Sequence, residues 1–137
     1  EQRDDLHVLM FGHESEETKK LPIPYTALGH IDEEWKLAVG YSAADVTLLP
    51  SLEDNLPNVI LESLACGTPV VTFNNGGCGE LIFNGVNGEL IEANDVSLFS
   101  NAVLRVLSRE IYLCREVATK TLSKQHCALN YMVNACG

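Results

Sequence analysis

The chain has 137 residues, 46% of them hydrophobic and 20% charged, a balance that suits one globular domain with a real core and excludes a disordered segment. Its net charge of −10 excludes the basic face that nucleic acid demands, and no apolar run approaches the roughly 18 residues of a membrane-spanning helix. An odd set of cysteines without a CxxC pair, Cys66, Cys78, Cys114, Cys127 and Cys136, argues against a zinc site or a disulfide framework and for reduced thiols in a cytoplasmic protein. Residues 1–5 are polar and carry no signal-peptide pattern. Glu1 in place of Met sets the expectation that the chain begins inside a longer protein.

In chain order, the apolar run at 6–11 (LHVLMF) predicts a buried strand ending at Gly12. Residues 13–24, with Pro22 and Pro24, predict a loop, and 25–29 (YTALG) a second strand. Asp32 is the expected N-cap of a helix over 33–43, with Trp35, Ala38, Val39 and Ser42 near helical spacing. Residues 45–49 (DVTLL) predict a strand, SLEDNL a loop, and Pro57 the first turn of a helix that runs to about Cys66 and stops at Gly67. Residues 69–73 (PVVTF) predict a strand, 74–79 a loop, 79–83 a short helix and 89–91 a short strand after the Asn84-Gly85 and Asn87-Gly88 turns. Asp95 is expected to start a helix over 96–107, with Leu98, Ala102, Arg105 and Val106 in its periodic positions, followed by another over 109–121. A domain over 1–121 and a helical or disordered tail over 122–137 complete the expectation. Strands that alternate with helices, and strands that are continuously apolar, argue for a parallel α/β sheet covered on both faces. Ligands of such sheets bind at the carboxyl ends of the strands.

Three stretches stand at those ends. In PSLEDNLPNVILE, a strand feeds a polar loop and then a helix whose free N–H groups suit an anion. Asp54 and Glu62, with seven residues between them, could accept hydrogen bonds from the hydroxyls of one polyol; equally, Asp54 could cap the helix and Glu62 face water. The glycines of Asn74-Asn75-Gly76-Gly77-Cys78-Gly79-Glu80 permit close backbone approach to a phosphate or sugar, or simply a tight connection. Gly12 could let a ligand come close, and His13 could donate to an anion or lie exposed. There is no Lys or Arg between Lys36 and Arg105, whereas Asp45, Glu53, Asp54, Glu62, Glu80, Glu89, Glu92 and Asp95 all fall there. A phosphate bound in that stretch therefore relies on backbone N–H groups or on cations from elsewhere. No P-loop, GxGxxG or GxSxG is present.

The block YSAADVTLLPSLEDNLPNVILESLACGTPVVTFNNGGCGELIFNGVNGEL resembles the signature of the glycosyl transferases group 1. These are retaining, metal-independent enzymes of the GT-B fold that use nucleotide sugars. The match is dense over 40–91 and extends weakly upstream through YTALGHIDEE and LHVLMFG; residues 95–107 fit the helix that follows. The resemblance implies a Rossmann-like C-terminal domain lacking its first strand and helix, with no cofactor and no metal. It implies that Glu62 holds the ribose hydroxyls and that Asp54, or the adjacent Glu53, faces the donor sugar. It further implies that main chain around Asn55, Leu56, Pro57 and Asn58 meets the sugar phosphate, that main chain near Ile31 meets the base, and that Gly12, Gly76 and Gly77 line the donor. Asp54 is shorter than the family's usual Glu, and Gly79 stands where the family commonly has proline.

The same resemblance implies that an Arg and a Lys upstream neutralise the diphosphate and that an N-terminal domain binds the acceptor glycan or glycolipid, at the inner face of the membrane. On that expectation the chain alone is inactive, and an open sheet edge would favour a homodimer. A phosphorylase would need a lysine for pyridoxal phosphate, and the motif region has none. A nucleotide-sugar epimerase of the same fold and a non-catalytic nucleotide-sugar or protein-binding domain remain as alternatives.

Overall fold

Five short strands, β1 (Val8–Met10), β2 (Tyr25–Ala27), β3 (Thr47–Leu49), β4 (Val70–Phe73) and β5 (Gly88–Ile91), are joined in the order ββαβαββα with three helices, α1 (Glu34–Ala43), α2 (Pro57–Ala65) and α3 (Val96–Ser108). The computed structural model describes residues 4–50, 57–74, 76–92, 94–109 and 112–114. Every strand pair is parallel, so each connection must cross over through a helix or loop, as the alternating pattern predicts.

The strands form two groups rather than one sheet. β1 pairs with β2, and β3, β4 and β5 pair in that order. A doubly wound sheet has the strand order 3-2-1-4-5-6. Counting β1 to β5 as its second to sixth strands reproduces both groups, with the central position between β1 and β3 holding no strand among the described residues. This is the Rossmann-like arrangement, in two blocks where a single sheet was expected.

β4 is the axis of the core. Val70 and Val71 are fully buried, one on each face, which is why this strand is apolar without alternation. On one face Val70 packs with Ile60, Leu64 and Ala65 of α2 and with Ala38 and Tyr41 of α1. On the other, Val71 and Phe73 pack with Phe99, Ala102 and Val106 of α3, the rings of Phe73 and Phe99 lying 5.0 Å apart. Helices therefore cover both faces of β4, as the composition requires.

Several boundaries differ from the expectation. Asp32 does not cap α1: its carboxylate meets His30 Nε2 at 2.7 Å, and Glu33 takes the cap position without a side-chain capping bond. Asp95 does cap α3, accepting from Ser97 N and Leu98 N. In α1 the buried face is Ala38, Gly40 and Tyr41, while Trp35 and Val39 are 51% and 60% exposed. In α3, Phe99 rather than the exposed Leu98 enters the core, and Arg105 points outward to Glu89. The loop of 13–24 contains a 3₁₀ turn at Thr18–Lys20. The short helix expected at 79–83 is instead a 3₁₀ turn at Gly76–Glu80, inside the expected loop. Gly67 stops α2 as expected, its N–H donating to Leu64 O.

The two turns before β5 are built by asparagine side chains. Asn87 is fully buried, accepting from Phe83 N and donating to Leu81 O, and Asn84 accepts from Leu90 N. The helix expected from 109 does not begin there. Arg109 is extended, and Tyr112 and Leu113 are not helical, Leu113 N donating instead to Val86 O. Cys114 is helical, and residues 115–121 of that helix and the tail over 122–137 lie outside the described residues.

Candidate functional site at the carboxyl ends of the strands

Because all strands run parallel, the segments that follow them collect at one end of the domain. The other end is marked by a cavity of about 530 Å³ where Asp5 and Leu6, leading into β1, meet Ala44, Asp45, Gly67 and Pro69, leading into β3 and β4. That cavity therefore lies at the amino ends of the strands, away from Gly12, Gly29 and Asn74, which follow β1, β2 and β4.

At the carboxyl ends, β1 and β2 terminate in glycines that hold one another. Gly12 N donates to Gly29 O at 2.8 Å, and both residues take left-handed backbone, with φ of 88° and 67°. A side chain on either would be strained, yet a Cβ there would meet nothing within 4 Å. The requirement is conformational, and it leaves bare main chain facing open space. His30 and Ile31 follow Gly29; Ile31 is half-buried, and His13 is exposed after Gly12.

Glu53, Asp54, Asn55 and Leu56 lie outside the described residues. Pro57 is the first residue of α2 and Asn58 is exposed in its first turn. Gly76 and Gly77 open the 3₁₀ turn after β4. Asn74, between β4 and that turn, donates to Glu92 at 2.8 Å and so ties the exits of β4 and β5 together.

Glu62 is the described carboxylate with the most particular setting. It sits on α2 where that helix packs on α1, half-buried, and one oxygen accepts from the hydroxyl of Tyr41 at 3.1 Å. Burial pushes its carboxyl above the usual carboxylate range; the Tyr41 hydroxyl opposes that push and the charge of Glu34 adds to it. Burial, with the charge of Glu62 beside it, pushes the Tyr41 phenol far up, so it stays a proton donor. Glu62 is therefore not a plain solvated helix residue, and among the described residues no cation lies beside it, consistent with the stretch free of Lys and Arg.

Tyr41 is the residue that sequence reading misses. The two partners are 21 positions apart, and no local spacing signals such a pair. Among the described residues no group of three His, Cys, Asp or Glu is placed to hold a metal ion, and no helix is long and apolar enough to cross a membrane.

A Rossmann-like parallel domain, with a half-buried carboxylate on the helix after its third strand and bare glycine main chain beyond its first two, belongs to the doubly wound α/β class. Residues 1–109 match the family model of the glycosyl transferases group 1, and the chain belongs to that family. It is 42% identical over 73 residues to a D-inositol 3-phosphate glycosyltransferase of Geodermatophilus obscurus, a match covering 53% of this chain and 16% of that protein. It is 41% identical over 69 residues to a UDP-Gal:alpha-D-GlcNAc-diphosphoundecaprenol alpha-1,3-galactosyltransferase of Escherichia coli, covering 50% and 18%. It is 41% identical over 80 residues to a glycogen synthase of Mycobacterium tuberculosis, covering 58% and 19%. The chain thus spans less than a fifth of the length of each of these relatives.

Proposed function

We propose that this chain is the donor-binding part of a glycosyltransferase that moves a sugar from a nucleoside diphosphate sugar to an acceptor hydroxyl with retention, in polysaccharide or glycoconjugate synthesis. The observation that carries the reading is Glu62: a half-buried carboxylate with one oxygen already bonded by Tyr41 and, among the described residues, no cation beside it. Such a group suits neutral vicinal hydroxyls, which supply donors without charge, and the ribose of the nucleotide is the natural diol. Asp54, or Glu53 beside it, faces the donor sugar in this reading. The main chain of residues 55–58 and the free N–H groups at the start of α2 meet the phosphates, where negative charge grows as the nucleoside diphosphate departs. Ile31 lies by the base, and Gly12, Gly76 and Gly77 allow the donor close to main chain.

The acceptor, a glycan or glycolipid, is met by other parts of the enzyme, with the whole protein acting in the cytoplasm at a membrane face. The galactosyltransferase named above acts on a lipid diphosphate, which supports that placement. No turnover is expected of this chain by itself, since cations for the diphosphate are not found between Lys36 and Arg105.

The test is a titration of UDP-, GDP- and ADP-sugars into the protein, followed by NMR. Shifts clustered at 53–62 and 74–80 are the expected outcome and identify the base. Shifts confined to the Asp5–Asp45–Arg109 cavity at the opposite end would overturn the reading.

A further inference from the structure

Glu62 does not hold its own position; α1 holds it. Tyr41 is 4% exposed and its ring packs against Phe11 at 5.5 Å. Its carbonyl accepts from the buried Thr68 hydroxyl, which anchors the end of α1 to the approach of β4. The neighbouring Gly40 makes room for this packing: a Cβ there would lie 2.5 Å from Phe11 Cζ. The phenol is thus fixed from its ring face and from its own main chain, and its hydroxyl is aimed at Glu62 Oε2. A glutamate on a helix otherwise samples several rotamers and loses that freedom on binding.

We propose that Tyr41 is the positioning residue for Glu62: its hydroxyl fixes one carboxylate oxygen and leaves the other presented to ligand hydroxyls. The inference rests on the donor-binding role given to Glu62 above. Two consequences follow from the geometry. The carboxylate is preorganised, so less freedom is lost when a diol binds. The bond from Tyr41 also favours the ionised, accepting form of Glu62 against burial and against the charge of Glu34 on the same helix as Tyr41.

The decisive variant is Tyr41→Phe, which removes the hydroxyl and keeps the ring against Phe11. Two quantities are read on the intact protein: the carboxyl titration of Glu62 by carbon NMR, and the affinities for UDP, GDP and ADP. With the hydroxyl gone, Glu62 titrates at higher pH than in the parent. The nucleotide that binds the parent binds about tenfold more weakly, the loss expected for one hydrogen bond to a charged group. Part of that loss returns as pH rises and the carboxylate re-ionises. In a Glu62→Gln background Tyr41→Phe has little further effect, because the two act as one unit. An unchanged Glu62 titration in Tyr41→Phe overturns the proposal, as does an unchanged affinity where Glu62→Gln weakens binding. If Glu62→Gln itself leaves every affinity unchanged, the donor-binding role is what fails, while a shifted titration would still show Tyr41 holding Glu62.

Discussion

Glu62 is a proposed site residue, and its cost to the fold can be measured apart from any ligand. Its folded-state pKa is raised above the usual carboxylate value of 4.5, burial being the largest cause. The stability linked to the protonated form is therefore fully present below the unfolded pKa and is lost as pH rises through the folded one. Glu62→Gln removes the titration and retains the neutral form. Thermal unfolding should show the variant close to the parent in acid and more stable than it at neutral pH, the gap opening as pH rises through the range above 4.5. A gap that is constant with pH, or that closes, would mean that Glu62 is not strained by burial. Residues selected for binding commonly carry such a cost.

At the scale of elements, the contrast between Asp32 and Asp95 shows what a sequence can and cannot announce. Both precede an apolar periodic run, and both are good N-cap candidates. Asp95 accepts two backbone bonds at the start of α3, whereas Asp32 turns to His30 and α1 begins a residue later. The competitor is a side chain two positions back, which a capping rule does not weigh. Asp95→Ala should cost about 1 kcal/mol, read from the denaturation midpoint with an unchanged slope. Asp32→Ala should change stability by less than about 0.5 kcal/mol, since an exposed His–Asp contact contributes little. The faces of α1 misled for a similar reason. Trp35 and Val39 are the larger apolar residues, but tertiary packing buries the small Ala38 and Gly40 because Phe11 and α2 come close there. All five strands, and the helices at α2 and α3, were legible because their apolar runs agree with the stop at Gly67 and the start at Asp95. The Tyr41–Glu62 pair was not, since it depends on how two helices pack.

For the molecule as a whole, the sequence predicts one parallel sheet, and the described residues form two blocks of unequal security. β4 has a hydrogen-bonded strand on each side and helices on both faces. Among the described residues β1 and β2 pair only with each other, and two strands alone are marginal in water. Their tie to the larger block runs through Phe11, which packs on Tyr41, and through main chain near Asp5 and Leu6. Opening β1 and β2 therefore exposes little of the core built on Val70 and Val71, and it need not await global unfolding. Hydrogen exchange should find the amides of Val71, Thr72 and Phe73 among the slowest in the chain. Those of Val8 and Leu28, which donate to Pro24 and Met10 across the smaller block, should exchange at least about a hundredfold faster, a difference of roughly 2.7 kcal/mol. Equal protection would mean that the two blocks unfold as one. Bound donor would narrow the difference if it bridges Gly12 and Ile31 of the smaller block to Glu62 of the larger, because a ligand that contacts both blocks favours the state in which both are formed.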